Sequence, residues 1–264
     1  MKTLFTNGRI WLKKNYYAGA LGMDSNTGKI SFIGSHHDAL NKKNEYDEFI
    51  DLEGKTVLPA FNDNHLHLVK GALVSSELNL RNITTAQEFK NEILKYRSLL
   101  KPGKWIQGGY FSDSNFTEKF TIDKNFLDEI CSDVPMFISR FDIHSCFVNS
   151  RALEFINTFE SYSFNDDELI KDAEAKLTGE LKERPMYLLQ SMIPQKSLEE
   201  KALDVKKQIK ELHSLGITSV SDITLPEDLD IYEFILNEGE LNLNINSILP
   251  FEEFYNIDIH KKRF

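Results

Sequence analysis

Two histidines separated by one residue are the strongest candidates for chemistry in this sequence. His65 and His67 lie in the segment PAFNDNHLHL, residues 59–68. On a β-strand, side chains two residues apart point to the same face, at a spacing of about 6.6 Å along the chain. Two imidazoles in that arrangement can converge on one divalent ion, each with its nitrogen at ~2.0–2.1 Å. The spacing therefore predicts two ligands of a metal site.

The residues around the pair favour this interpretation. Asp63 lies on the same face of a regular strand, where it could accept a hydrogen bond from a ligand imidazole and orient it. The pair ends an apolar strand, TVLPAF, and the carboxyl-terminal edge of an α/β sheet is where active sites lie. The alternative is two surface or core histidines at the start of a loop, because a short H-x-H pattern arises often by chance.

The first 56 residues predict a small β-rich module. Asn7-Gly8 accepts positive φ, which predicts a tight hairpin within LFTNGRIW. Residues 28–35 predict a strand, and residues 48–58 predict two strands around a turn at Glu53-Gly54. No helix is expected in this module, because no apolar pattern of period 3.6 occurs in it.

After Pro59 the pattern changes to strands that alternate with helices, which is typical of parallel α/β architecture. Ser197 and Glu200 form an S-x-x-E capping box at the start of the best helix, and Gly216 follows its end. About five strand–helix units fit into this part, fewer than the eight of a closed (β/α)8 barrel. The predicted helices cover 89–100, 124–131, 197–215 and 227–238, and the predicted strands cover 104–111, 135–141, 217–223 and 241–249.

Composition excludes several classes of function. The 264 residues include 41 acidic and 31 basic ones, for a formal charge of -10. A nucleic-acid partner is not expected, because phosphate contacts need clustered Lys and Arg. Cys131 and Cys146 make neither a disulfide framework nor a CxxC metal site. No apolar run approaches the ~20 residues of a membrane span, so we expect a soluble, cytoplasmic protein without a membrane partner.

Several segments resemble the metal-dependent amidohydrolase superfamily, whose members begin with part of a small β-sandwich and enter a barrel through a strand that ends in H-x-H. These are NGRI, GKISFIG, IDLEGKTVLPAF and D-x-H-x-H. Four more segments are similar to the YtcJ-like branch, amidohydrolase family 3, which includes N-substituted formamide deformylases. They are KWIQGGYF, RFDIHSCFVNSRAL, TGELKERP and LGITSVSDI, and the similarity extends over nearly the whole chain.

The resemblance implies an α/β fold: an incomplete (β/α)8 TIM-type barrel preceded by a small β-sandwich-like module. The module corresponds to residues 1–56 and the N-terminal part of the barrel to residues 57–264. Ala60 and Asn64 depart from the glycine and serine that the family carries before its histidines. Ala60 is compatible with the family backbone only if its φ is negative there.

The resemblance also implies roles for individual residues. His65 and His67 match the first metal ligands, and Asp63 stays a candidate for orienting them. Glu183 matches a motif glutamate that would bind or bridge metal; the alternative is a solvated acid at a helix start. His144 and Asn149, with Ser150, match a segment that lines the substrate pocket. The alternative for Asn149 and Ser150 is that they cap the following helix.

The function implied is metal-dependent hydrolysis of carbon–nitrogen bonds in small non-peptide amides, with zinc as the divalent metal. The family's later histidine ligands and its last-strand aspartate, the general acid/base, are expected beyond Phe264, so no catalytic residue is expected within this chain. We therefore expect a truncated form that is weakly active or inactive, and that self-associates or binds a complementing C-terminal fragment.

Two other interpretations remain open at this stage. The chain could be a non-catalytic remnant or an interaction module derived from an amidohydrolase. A phosphoesterase of the PHP type also carries D-x-H-x-H, but such proteins begin at the metal motif without the β-rich leader.

Overall fold

The structure is a computed structural model that describes residues 1–156, 158 and 162–264. The chain forms two compact units. Unit 1 comprises residues 1–63 and 216–219, and unit 2 comprises residues 64–215 and 220–264. The division along the chain falls just before His65, and the domain boundary expected after residue 56 stays a prediction.

Unit 1 contains two β-sheets. The four-stranded sheet has the order β5-β4-β1-β6 and the three-stranded sheet the order β3-β2-β7. Leu4, Ala20 and Ala39 are fully buried and form the core of this unit. The strands are β1 (Lys2–Thr6), β2 (Arg9–Lys13), β3 (Tyr16–Ala18), β4 (Ala20–Asp24), β5 (Lys29–Gly34), β6 (Glu48–Asp51) and β7 (Thr56–Val57).

The hairpin expected at Asn7-Gly8 is wrong. Asn7 does adopt positive φ, 51°, but β1 pairs with β4 and β6 while β2 pairs with β3 and β7. The turn therefore carries the chain from one sheet to the other. The Asn7 side-chain amide donates to the Asp51 carboxylate at 2.9 Å, and the Glu53 amide donates to the same carboxylate at 2.8 Å. The bond from Glu53 first, and then that from Asn7, lowers the pKa of Asp51. The two bonds connect the turn at Asn7-Gly8 to the turn at Glu53-Gly54.

A short helix, α1 (His36–Asn41), interrupts the strands of unit 1, although no helix was expected there. The Ser35 hydroxyl accepts a hydrogen bond from the Asp38 amide at 3.1 Å, which is an N-cap. The helix is too short to show an apolar period, so only the cap could have indicated it. His36 and His37 are exposed on it.

Unit 2 contains a six-stranded mixed sheet of order β13-β14-β12-β11-β10-β9. Neighbours among β9, β10 and β11 are parallel, whereas β12, β14 and β13 continue the sheet in antiparallel fashion. The strands are β9 (Leu78–Asn79), β10 (Ile106–Phe111), β11 (Met136–Arg140), β12 (Ser145–Val148), β13 (Leu169–Lys171) and β14 (Leu177–Lys182). The α/β class is confirmed, but an all-parallel arrangement is wrong for this sheet.

A separate three-stranded sheet has the order β16-β15-β8. Its strands are β8 (Phe61–Leu66), β15 (Ile217–Ile223) and β16 (Asn244–Ile248). Within the described residues the strands fall into four sheets, and no closed barrel is formed.

Two helices of unit 2 follow directly from their sequence patterns. The helix stripe predicted over 89–100 is confirmed, with Phe89 and Ile93 fully buried. Ser197 and Glu200 make both bonds of the capping box, at 3.2 Å and 3.1 Å. The helices are α2 (Leu68–Ser75), α3 (Ala86–Leu99), α4 (Lys124–Ile130), α5 (Ser150–Ile156), α6 (Arg184–Ser191), α7 (Leu198–Ser214), α8 (Asp228–Asn237) and α9 (Ile257–Lys261). Over the part of the chain that is described, none of the helices combines the length and the apolar character needed to cross a membrane.

Acid is expected to weaken unit 2 through Glu200. The Lys104 ammonium donates to this carboxylate at 2.8 Å and, with the Ser197 amide, lowers the pKa of Glu200 from 4.5 to about 2. A lowered pKa in the folded state adds stability above pH 4.5, and this contribution disappears as the pH falls toward 2. Glu200→Gln should therefore be less stable than wild type at pH 6 and nearly equal to it at pH 2. Urea unfolding across this range measures the difference. Lys104→Met should reduce the pH dependence in the same way, and an unchanged profile in both variants would contradict this assignment.

Candidate metal centre and carboxylate cleft

The two histidines of the H-x-H pattern lie where strand β8 turns into helix α2. His65 is within the strand, whereas His67 is one residue past its end and is the N-cap residue of α2, with φ -112° and ψ 78°. Both side chains are exposed. Their ring centroids are 5.5 Å apart and the ring planes make an angle of 73°. The two rings thus lie next to each other at the end of the strand.

This arrangement fits a metal ion. For two imidazole nitrogens at ~2.1 Å from a tetrahedral ion, the ring centroids would lie roughly 5 Å apart. The observed 5.5 Å is close to that separation. Imidazole suits Zn²⁺ and several other divalent transition metals. His65 and His67 therefore provide two correctly spaced donors.

Within the described residues, the paired histidines do not belong to a larger cluster of potential metal ligands. Among the described residues, no group of three or more His, Cys, Asp or Glu side chains is close enough together to hold a metal ion. Asp63 is half-buried on the same strand. The ligand role of His65 and His67, the orienting role of Asp63 and the metal role of Glu183 stay predictions.

Glu183 and His144, which lie far apart in the sequence, are brought together by the mixed sheet. The Nδ1 atom of His144 is 3.1 Å from Oε1 of Glu183, and the Glu183 amide donates to the His144 carbonyl at 3.2 Å. Both side chains are more than half exposed, at 65% and 55%. They lie in an open cleft of about 600 Å³ that is also lined by Arg140, Asp142, Ser145, Asp167, Glu168, Glu180 and Lys182.

The backbone of Glu183 is in a strained conformation. It has φ 55° and ψ -119° at the start of α6, a region that non-glycine residues rarely adopt. Such strain costs about 1–3 kcal/mol and is concentrated at functional sites. In this conformation Glu183 lies beside His144 in the cleft.

Asn149 is a structural residue of the sheet and not an exposed one. Its side chain is fully buried, and its oxygen accepts from the amides of Met136 and Ala152, both at 3.0 Å. Its amide nitrogen donates to the carbonyls of Cys131 and Val134, at 3.1 Å and 2.9 Å. The bond from Ala152 is an N-cap of α5, as the capping alternative expects. The place of Asn149 in a substrate pocket stays a prediction.

Sequence reasoning missed one buried carboxylate near the histidines. Asp222, near the end of β15, has no exposed surface, and its Oδ1 accepts a hydrogen bond of 2.6 Å from the amide of Leu68, the residue after His67. Its Oδ2 accepts from the hydroxyls of Thr224 and Tyr232, at 2.6 Å and 2.7 Å. Its only signal in the sequence is its position at the end of a β-branched strand.

The sequence of this chain is similar to those of several known proteins. A profile described as an amidohydrolase family matches residues 48–260. N-substituted formamide deformylase of Arthrobacter pascens is 25% identical over 244 residues, which are 87% of this chain and 44% of that protein. Protein LONG AFTER FAR-RED 3 of Arabidopsis thaliana is 26% identical over 224 residues, 83% of this chain and 38% of that protein. The chain thus spans less than half the length of these relatives.

A solved structure has a similar fold. The crystal structure of an uncharacterized metal-dependent hydrolase from Pyrococcus furiosus superimposes with a TM-score of 0.72 at 24% identity. The match covers 98% of this chain and 52% of that one.

Replacing Glu183 should separate stability from function. Glu183→Gly relieves the positive φ, whereas Glu183→Ala keeps it, so the glycine variant is expected to be more stable by about 1 kcal/mol. Urea unfolding of the two variants measures this difference. Both variants lose the carboxylate equally, so any ligand that needs it should bind neither. If Glu183→Ala were the more stable of the two, the strain assigned to this residue would be wrong.

Proposed function

The chain belongs to the amidohydrolase family, in its family 3 branch, and on this premise we propose that it takes part in metal-dependent hydrolysis of a carbon–nitrogen bond in a small non-peptide amide. The observation that carries the proposal is the His65–His67 pair, with ring centroids 5.5 Å apart at the edge of β8. Zinc is the proposed metal, because paired imidazoles are among its preferred donors. The similarity to an N-substituted formamide deformylase supports the amide class.

The roles of this chain's residues follow from their positions. When bound, a divalent metal lowers the pKa of a water molecule toward neutrality and polarises a carbonyl oxygen. His65 and His67 would hold it, with Asp63 proposed to orient an imidazole. Glu183 and His144 form a second polar pair, which we propose to contact metal and substrate respectively.

We also propose that unit 2 corresponds to part of a TIM-type barrel and that this chain alone is weakly active or inactive. A catalytic zinc site usually has three protein ligands and one open position, whereas the described residues assemble two donors at the pair. We propose that the general acid/base is supplied by the polypeptide that completes the site. A non-catalytic descendant of an amidohydrolase remains the competing proposal.

Additional polypeptide is proposed to complete the site. The segment after β16 exposes large aromatic side chains: Phe251 is 83% exposed and Tyr255 90%. Exposed apolar clusters of this kind mark interaction surfaces. The structural neighbour contains about as much chain again as the part that matches. We propose that polypeptide equivalent to that remaining half, in the same chain or a separate one, covers these residues.

Metal analysis tests the histidine pair. His65→Ala/His67→Ala should bind less zinc than the wild-type protein when both are brought to equilibrium by dialysis against micromolar zinc, because both donors are removed; elemental analysis measures it. His36→Ala/His37→Ala, which alters two exposed histidines of α1, is the matched control and should keep its metal. Equal metal content in wild type and His65→Ala/His67→Ala would remove the pair from the site. Rapid turnover of N-acyl or cyclic amides by the isolated chain would contradict the proposal of weak activity.

Sedimentation velocity tests whether the exposed aromatic side chains after β16 form an interaction surface. Without its complement, the isolated chain should associate as its concentration rises, because the aromatic side chains would pack against those of other copies. Phe251→Ser/Tyr255→Ser should shift the population toward monomer. A wild-type chain that stays monomeric at all concentrations would contradict an interaction surface at these residues.

A further inference from the structure

The carboxylate of Asp222 has no exposed surface, and a backbone amide and two side-chain hydroxyls form hydrogen bonds with it. The amide is that of Leu68, at the start of α2, and the hydroxyls are those of Thr224 and Tyr232. The Leu68 amide can only donate to Oδ1, and both hydroxyls lie within hydrogen-bond distance of Oδ2. Burial and the neighbouring Asp222 charge raise the pKa of Tyr232 well above its usual value, so its phenol remains a donor.

None of these three partners carries a full positive charge. Burying a carboxylate costs free energy that hydrogen bonds offset only in part. The amino-terminal end of α2 contributes a partial positive charge through its free amide groups. A cation held close to the start of α2 would offset more of the remaining negative charge.

The bond from Leu68 connects this carboxylate to the histidine pair. Leu68 is the first residue of α2 and directly follows His67, whose carbonyl accepts from the Gly71 amide at 2.8 Å. The backbone at His67 is thus held by the helix on one side and by strand β8 on the other. The 2.6 Å bond to Asp222 holds the first residue of α2, directly after His67.

We propose that Asp222 is a positioning residue for the metal centre: it sets the backbone at His67 through Leu68, and its buried charge strengthens cation binding by the His65–His67 pair. This inference rests on the proposed metal role of that pair. Groups that orient metal ligands without touching the metal typically contribute 10–100-fold in metal affinity. A carboxylate that only joined β15 to α2 and α8 would affect stability and leave metal affinity unchanged.

The test is zinc affinity of the metal-free full chain, measured by competition with a chromophoric chelator. Asp222→Asn keeps the size of the side chain and removes its charge, and it should weaken zinc binding by about 10–100-fold. The matched control is Asp204→Asn, since Asp204 is also buried and bonds to Lys196. It should bind zinc as the wild-type protein does. Tyr232→Phe, which removes one donor but keeps the charge and the Leu68 bond, should lower stability without changing affinity.

A second measurement needs no metal. In the metal-free protein, Asp222→Ala should accelerate hydrogen exchange of the Leu68 amide and shift the NMR signals of the His67 ring, while Asp204→Ala should change neither. Unchanged zinc affinity in Asp222→Asn would overturn the proposal, as would an unchanged His67 signal in Asp222→Ala. If the wild-type chain bound no zinc at the pair while these metal-free changes occurred, the proposed function would fail but the positioning by Asp222 would stand.

Discussion

The turn from β8 into α2 is the constraint on which the candidate metal centre depends. His65 lies on the strand and His67 at the start of the helix, and their rings come within 5.5 Å of each other. The buried carboxylate of Asp222 accepts a hydrogen bond from the first amide of the helix, that of Leu68. Positioning of the donors is therefore a property of the junction between two elements and not of either element by itself.

Burial separates the polar residues that build this protein from those available for chemistry. Asn149 and Asp222 have no exposed surface, and each uses all its polar atoms on neighbouring groups. The side chains of His65, His67, His144 and Glu183 are exposed. Buried polar groups without partners are costly, so a fully bonded buried amide is explained by the fold. The exposed pairs lie where solvent or a ligand could reach them, and one of them includes the strained backbone of Glu183.

Family membership and local geometry support each other only in part. The match over residues 48–260 includes both polar pairs. Within the described residues, His65 lies beside His67 and His144 beside Glu183, and no larger group of potential metal ligands is formed. The relatives are more than twice as long as the matched part.

The sequence by itself determined the elements with regular patterns: the helix α3 from its apolar stripe, α7 from its capping box, and the paired histidines at a strand end. These signals are local, because their contacts join residues three or four apart or neighbours on one strand. Only the tertiary structure decided that Asn7-Gly8 changes sheets, that β12 and β14 run antiparallel, and that Asn149 is buried. It also decided that Asp222 meets Leu68, 154 positions away. Strand partners and buried polar bonds join residues distant in sequence, and no local period records them.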